Sequence, residues 1–113
     1  MRNPKWNYKE LVLALELYIY SRPKPPGKNS IAVKNLSSLL RLNALSQKKI
    51  INKTFRNING AAMKLQNFRS LDDQFKGKGL RRGGGLEHEI WNKFNSLNKI
   101  TKEADNVRKN IEN

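Results

Sequence analysis

The chain has 113 residues, which is enough for one domain with a modest hydrophobic core, and it contains no cysteine. Disulfides, zinc–thiolate sites and thiol nucleophiles are therefore excluded. Its 23 basic and 9 acidic residues give a net charge of +14 at pH 7, which predicts a polyanionic partner rather than a particular fold. The longest apolar run, residues 11–20, is too short to cross a bilayer, which takes about 20 residues, so we expect no membrane span.

Apolar spacing along the chain predicts an all-α domain of about five helices. The first covers residues 11–20 and is apolar over most of its circumference, as expected of a central helix. A proline-rich segment then ends it, because proline cannot donate a backbone hydrogen bond. Ser30 or Asn29 can cap a second helix over residues 31–42. Residues 43–54 show poor periodicity and are predicted to be a connector.

The third predicted helix, residues 58–69, combines one apolar stripe with a polar, basic face that has no acidic residue. Arginine and lysine can donate to phosphate or guanine, asparagine and glutamine can pair with adenine, and methionine can contact a pyrimidine methyl group. We therefore expect this helix to enter the major groove of DNA, supported by residues 31–42 in a helix-turn-helix-like centre. Two further helices are predicted around residues 90–97 and 104–111, separated near residues 95–98.

The basic residues are concentrated in the middle of the chain. Residues 48–82 contain ten basic and two acidic residues, whereas residues 86–113 contain five of each. Residues 72–85 combine five glycines with several bases, which predicts a basic, Gly-rich loop, either one that touches the phosphate backbone or one that is merely disordered. The residues predicted to bind DNA are Arg56, Asn57, Asn59, Met63, Lys64, Gln66, Asn67, Arg69, Lys78, Arg81 and Arg82.

No catalytic, metal or cofactor site is predicted. His88 is the only histidine, and although Glu87 and Glu89 flank it, adjacent helix residues point about 100° apart, so no ligand set is complete. Asp72 and Asp73 are neighbours in a predicted turn rather than two acids facing each other across a substrate. We therefore expect the chain itself not to be an enzyme.

Four blocks of the sequence carry a resemblance to a known family. They are W-x-x-x-E-L-x-L-A-L-x-L-Y from Trp6, V-x-x-L-S-x-L-L from Val33, F-R-N-x-x-G-A-x-M-K-L-x-N-F from Phe55, and W-x-x-F from Trp91. In this order they resemble the N-terminal domain that precedes the HNH nuclease domain in McrA-like restriction endonucleases. The block from Phe55 is the most specific, because it specifies polar and apolar types over fourteen positions.

The resemblance implies a targeting domain that binds double-stranded DNA, in some members modified DNA such as modified cytosine, while a separate HNH module cuts. One histidine cannot supply an HNH site, so we expect residues 1–113 to be a single DNA-binding domain, either isolated or a piece of a longer nuclease, in a prokaryotic cytoplasm near the nucleoid. Two alternatives remain. A polybasic module could bind acidic proteins or membrane surfaces, and RNA binding is a weaker option because the aromatic residues fall on core stripes.

Overall fold

The computed structural model describes residues 3–74 and 85–112, and within these ranges the regular structure consists of five α-helices without a strand. They are α1 (Tyr8–Ser21), α2 (Ile31–Ser46), α3 (Ile58–Leu71), α4 (Gly85–Phe94) and α5 (Leu97–Glu112). The predicted all-α domain of about five helices is therefore confirmed. The predicted Gly-rich loop falls largely on residues 75–84, which lie outside the described ranges.

The first helix, α1, forms the centre of the domain and packs against all four other helices. It begins at a capping box in which the Asn7 side chain accepts from the Glu10 amide and the Glu10 carboxylate accepts from the Asn7 amide. Leu11, Leu15 and Tyr18 are fully buried. Burial on almost every side explains why this segment is apolar around its circumference, as the sequence predicted.

The second helix, α2, begins as predicted, because the Ser30 hydroxyl accepts from the Val33 amide and caps it. It ends at Ser46, so the prediction that a connector begins at Asn43 is wrong. Asn43 and Ala44 are buried and continue the core-facing stripe by one more turn. Residues 47–57 then join α2 to α3, a longer connection than the three or four residues of a helix-turn-helix. The helix-turn-helix-like centre remains a prediction.

The last two helices are separated at residues 95–96, within the predicted break. Ile90 and Trp91 are buried in α4, as their spacing predicts. The prediction that this helix extends to Leu97 is wrong, because Leu97 begins α5 and is 48% exposed. None of the helices in the described ranges is long and apolar enough to span a bilayer.

Candidate nucleic-acid interface

The helix α3 is anchored at its first turn by Asn57. The Asn57 side chain accepts from the Gly60 amide at 2.8 Å and so caps the helix. A Cβ at position 60 would lie 3.3 Å from that Asn57 oxygen, tighter than an ordinary contact, so a larger residue here would require the capping side chain to shift by a few tenths of an ångström. Sequence reasoning assigned Asn57 to DNA contact, but the structure uses its side-chain oxygen to cap the helix.

Two opposite sides of α3 have different environments. Ala61, Leu65 and Phe68 are fully buried in the core, whereas Asn59 and Gln66 are exposed. Met63 lies with the exposed pair and is 67% exposed, while Asn67 is half-buried and Arg69 is exposed near the end of the helix. The apolar stripe is buried as predicted, whereas Asn67, which helical spacing predicts on the outward side with Asn59 and Met63, is half-buried, and Gln66 is exposed instead. We call Asn59, Met63 and Gln66 the outer face of α3.

A loop with two lysines borders the outer face. Residues 26–28, in the connection between α1 and α2, line a groove of about 350 Å³ together with Asn59, Met63 and Gln66. Lys28 lines this groove, and both Lys28 and Lys24 are exposed. Sequence reasoning missed these lysines because it treated the proline-rich segment only as a helix breaker. Two lysines in a short loop between helices were the available signal.

A second groove, of about 570 Å³, adjoins α3. Lys5, Trp6, Lys64 and Asn67 line it together with residues 85–87. The Lys64 ammonium lies 3.9 Å from the Glu87 carboxylate and 5.3 Å from the centre of the Trp6 ring. Burial lowers the pKa of Lys64, and Glu87 partly opposes that shift. The Lys64 side chain is therefore half-buried and its charge is partly balanced by Glu87. It differs in this from a lysine that extends into solvent.

Arg56 is among the residues predicted to contact DNA, but its side chain is buried, only 4% exposed, and is used inside the domain. Its guanidinium donates to both carboxylate oxygens of Glu10, at 2.8 and 2.9 Å, and to the carbonyls of Pro4 and Lys5. It also lies 4.4 Å from the centre of the Phe55 ring. Arg56 thus joins the segment before α1 to the segment before α3, inside the domain.

Those predicted residues that the structure describes therefore do not form one surface. Asn59, Met63 and Gln66 lie together, and Asn67 with Lys64 lies on the adjoining groove. Lys78, Arg81 and Arg82 lie outside the described residues.

The described residues contain no group of three or more histidine, cysteine or acidic side chains that could hold a metal ion. No protein-family model, curated protein or solved structure matches the chain. Its function must therefore be argued from the chemistry of its surface.

Proposed function

We propose that the chain binds double-stranded DNA by placing the outer face of α3 in the major groove. The observation that carries this proposal is the exposure of Asn59, Met63 and Gln66 on a helix without an acidic residue, beside a loop that bears two lysines. A helix has the diameter to enter the major groove, and amide side chains can donate to and accept from one adenine edge at once.

Different residues on this surface are proposed to perform different tasks. Lys24, Lys28 and Arg69 contact phosphates, which positions the domain without reading sequence. Asn59 and Gln66 contact base edges. Arg56 is omitted because it is buried. The resemblance to McrA-like domains adds the proposal that the chain targets an HNH restriction endonuclease to its site in a prokaryotic cell.

The test is equilibrium binding of fluorescent duplexes, first selected from a random library and then compared with scrambled duplexes at one salt concentration. Asn59→Ala and Gln66→Ala should each lose about 1–3 kcal/mol on the selected site and little on scrambled DNA. Asn106→Ala, an exposed asparagine on α5, is the matched control. Full sequence discrimination in both variants would refute α3 as the reading helix.

The phosphate contacts have a separate test. Lys28→Ala should weaken binding to all duplexes alike and reduce the slope of log affinity against log salt by about 0.9. Lys102→Ala, an exposed lysine on α5, should leave that slope unchanged. An equal effect of the two variants would show that general charge, rather than the loop beside α3, governs affinity.

Met63 is the proposed sensor of a methyl group on cytosine. The C5 methyl group projects into the major groove, where an exposed apolar side chain can contact it without base flipping. Covering one methyl group is worth roughly 1 kcal/mol, so the expected preference for methylated DNA is about fivefold. Matched duplexes that differ only in cytosine methylation measure it, with Met63→Ala as the comparison. Equal affinities of the unmodified protein for the two duplexes would refute the proposal that Met63 senses methylated cytosine.

The chain itself is proposed not to cut DNA, since the described residues hold no cluster of metal ligands. Incubation of plasmid with the purified chain and Mg²⁺, Mn²⁺ or Zn²⁺ should leave it intact. Cleavage that disappears in His88→Ala would contradict this proposal.

A further inference from the structure

Three large aliphatic side chains are exposed where α2 ends. Leu42 is 63% exposed, Leu45 is 53% exposed and Ile50 is 92% exposed. Leu42 and Leu45 are one helical turn apart and so share a face of α2. With the exposed Lys48 and Lys49 they form what we call the α2-end patch. It is separate from the outer face of α3, because none of its residues lines either groove beside that face.

Backbone hydrogen bonds fix the turn that follows α2 within the α2-end patch. The Lys48 amide donates to the Leu45 carbonyl and the Lys49 amide to the Ala44 carbonyl, with Lys48 in the left-handed region at φ 61°. This is a Schellman ending, which turns the chain sharply back at the end of α2. An apolar surface on a fixed backbone loses little conformational entropy on binding, which suits a docking role.

Arg41 ties the following turn to the same helix. Its guanidinium donates to the Asn52 carbonyl at 3.3 Å and to the Phe55 carbonyl at 2.5 Å. The segment that carries Ile50 is therefore fastened to α2 at both of its ends. The patch is a feature of the folded domain rather than of a loose connector.

The charge around the patch identifies the chemistry of its partner. The sequence has no acidic residue from position 17 to position 71, and Lys48, Lys49 and Lys53 are all exposed in the same stretch of chain as the three aliphatic side chains. A complementary surface must therefore present apolar groups surrounded by carboxylates. An amphipathic helix with aliphatic residues at i, i+3 or i+4 and acidic residues beside them has this pattern.

We propose that the α2-end patch binds an acidic amphipathic helix of a protein partner. A second copy of the chain is disfavoured, because it would oppose the same lysines on a molecule of net charge +14. An anionic membrane is disfavoured, because residues 42–53 contain no aromatic residue, the type enriched where proteins meet the bilayer interface. Phosphates of DNA would satisfy the lysines but leave the aliphatic side chains without an apolar contact.

The test uses a displayed library of helical peptides. Leucine is kept along one face, at positions spaced three and four residues apart, and the flanking positions vary among Glu, Lys, Gln and Ser. Selection on the folded chain should enrich glutamate at the flanking positions. The selected peptide should bind the double variant Leu42→Ser, Leu45→Ser at least about tenfold more weakly, the loss expected when the central apolar contacts are removed. Ile31→Ser is the matched control, since Ile31 is a 76% exposed aliphatic residue at the other end of α2.

Separate measurements test the alternative partners of the α2-end patch, namely an anionic membrane and a second copy of the chain. Failure to enrich glutamate, or equal binding by the double variant, would overturn the proposal. It would also be overturned if vesicles of phosphatidylserine and phosphatidylcholine sedimented the chain but not the double variant, or if the chain were a dimer that the double variant dissociates. Unchanged DNA affinity in the double variant is expected, because the proposal concerns a surface separate from the outer face of α3.

Discussion

Replacing Arg56 by alanine should destabilise the fold rather than weaken DNA binding directly. The substitution would leave Glu10, whose side chain is 4% exposed, without its ionic partner. It would also leave the carbonyls of Pro4 and Lys5 without the donors that now lie 2.9 and 3.0 Å away. An unpaired buried charge costs about 3–5 kcal/mol, whereas a domain of this kind has about 5–15 kcal/mol of total stability. Arg56→Ala should therefore remove a large part of the free energy of unfolding.

The assay is urea denaturation followed by far-ultraviolet circular dichroism. Because the alanine variant can fail to fold, Arg56→Lys provides a second measurement. Lysine keeps the positive charge but cannot donate to both Glu10 oxygens and both carbonyls in one plane, so we expect an intermediate loss of about 1–3 kcal/mol. Lys53→Ala, an exposed basic residue three positions earlier, should change the free energy of unfolding by less than about 0.5 kcal/mol.

The opposite result would refute this reasoning. If Arg56→Ala unfolded at the same urea concentration as the unmodified chain but bound duplex DNA more weakly at all sequences, the guanidinium would be a phosphate contact after all. If the variant were unstable but its folded fraction kept the original affinity, the internal role would stand.

Three smaller perturbations test other features of the fold. Lys48→Gly should raise the free energy of unfolding by about 1 kcal/mol in urea denaturation, because glycine adopts the positive φ of 61° without a Cβ penalty. Burial and the hydrogen bond to Glu103 raise the pKa of Tyr8 to about 12, so the folded state favours the protonated phenol. The contribution of this pKa shift to the free energy of unfolding is fully present below pH 10 and declines as the pH rises towards 12. Tyr8→Phe should flatten that decline. Tyr18→Phe should cost about 1–3 kcal/mol at neutral pH, measured by urea denaturation, because the buried Asp72 carboxylate loses a hydrogen bond of 2.8 Å.

Helix positions were predictable from the sequence because apolar spacing reports which side of a helix is buried. The core stripe of α3, with Ala61, Leu65 and Phe68, was found in this way. Helix ends were less predictable. Asn43 is a polar residue that is only 5% exposed at the end of α2. A prediction from the spacing of apolar residues therefore ends this helix too early.

The candidate site was only partly predictable, because residue type does not show whether a polar side chain points inward or outward. Asn59 and Asn57 are two positions apart and chemically identical, yet one lies on the outer face of α3 and the other caps the helix. Arg56 was misassigned for a related reason. Its partner Glu10 is 46 positions away in the chain, a separation that local periodicity does not detect.

The internal ion pairs explain how a chain of net charge +14 folds while keeping a basic surface. In the described residues Glu10 pairs with Arg56, Asp72 with Arg22, and Glu16 and Asp105 with Arg108. Glu10, Asp72 and Glu16 thereby join different parts of the domain, whereas Asp105 and Arg108 lie one turn apart on α5. Among the described ion pairs, none involves a lysine from residues 22–53, where the sequence has no acidic residue.

The positive field of the molecule consequently extends over the loop beside α3 and the end of α2, at both proposed binding surfaces. Phosphates attract exposed lysines, so charge alone would not distinguish the two surfaces if the chain binds DNA as proposed. The two differ in what lies beside the lysines. Amide side chains next to Lys28 can pair with base edges, whereas the aliphatic side chains next to Lys48 cannot. Sequence-dependent binding should therefore depend on the outer face of α3, and the α2-end patch is left available for an apolar, acidic protein.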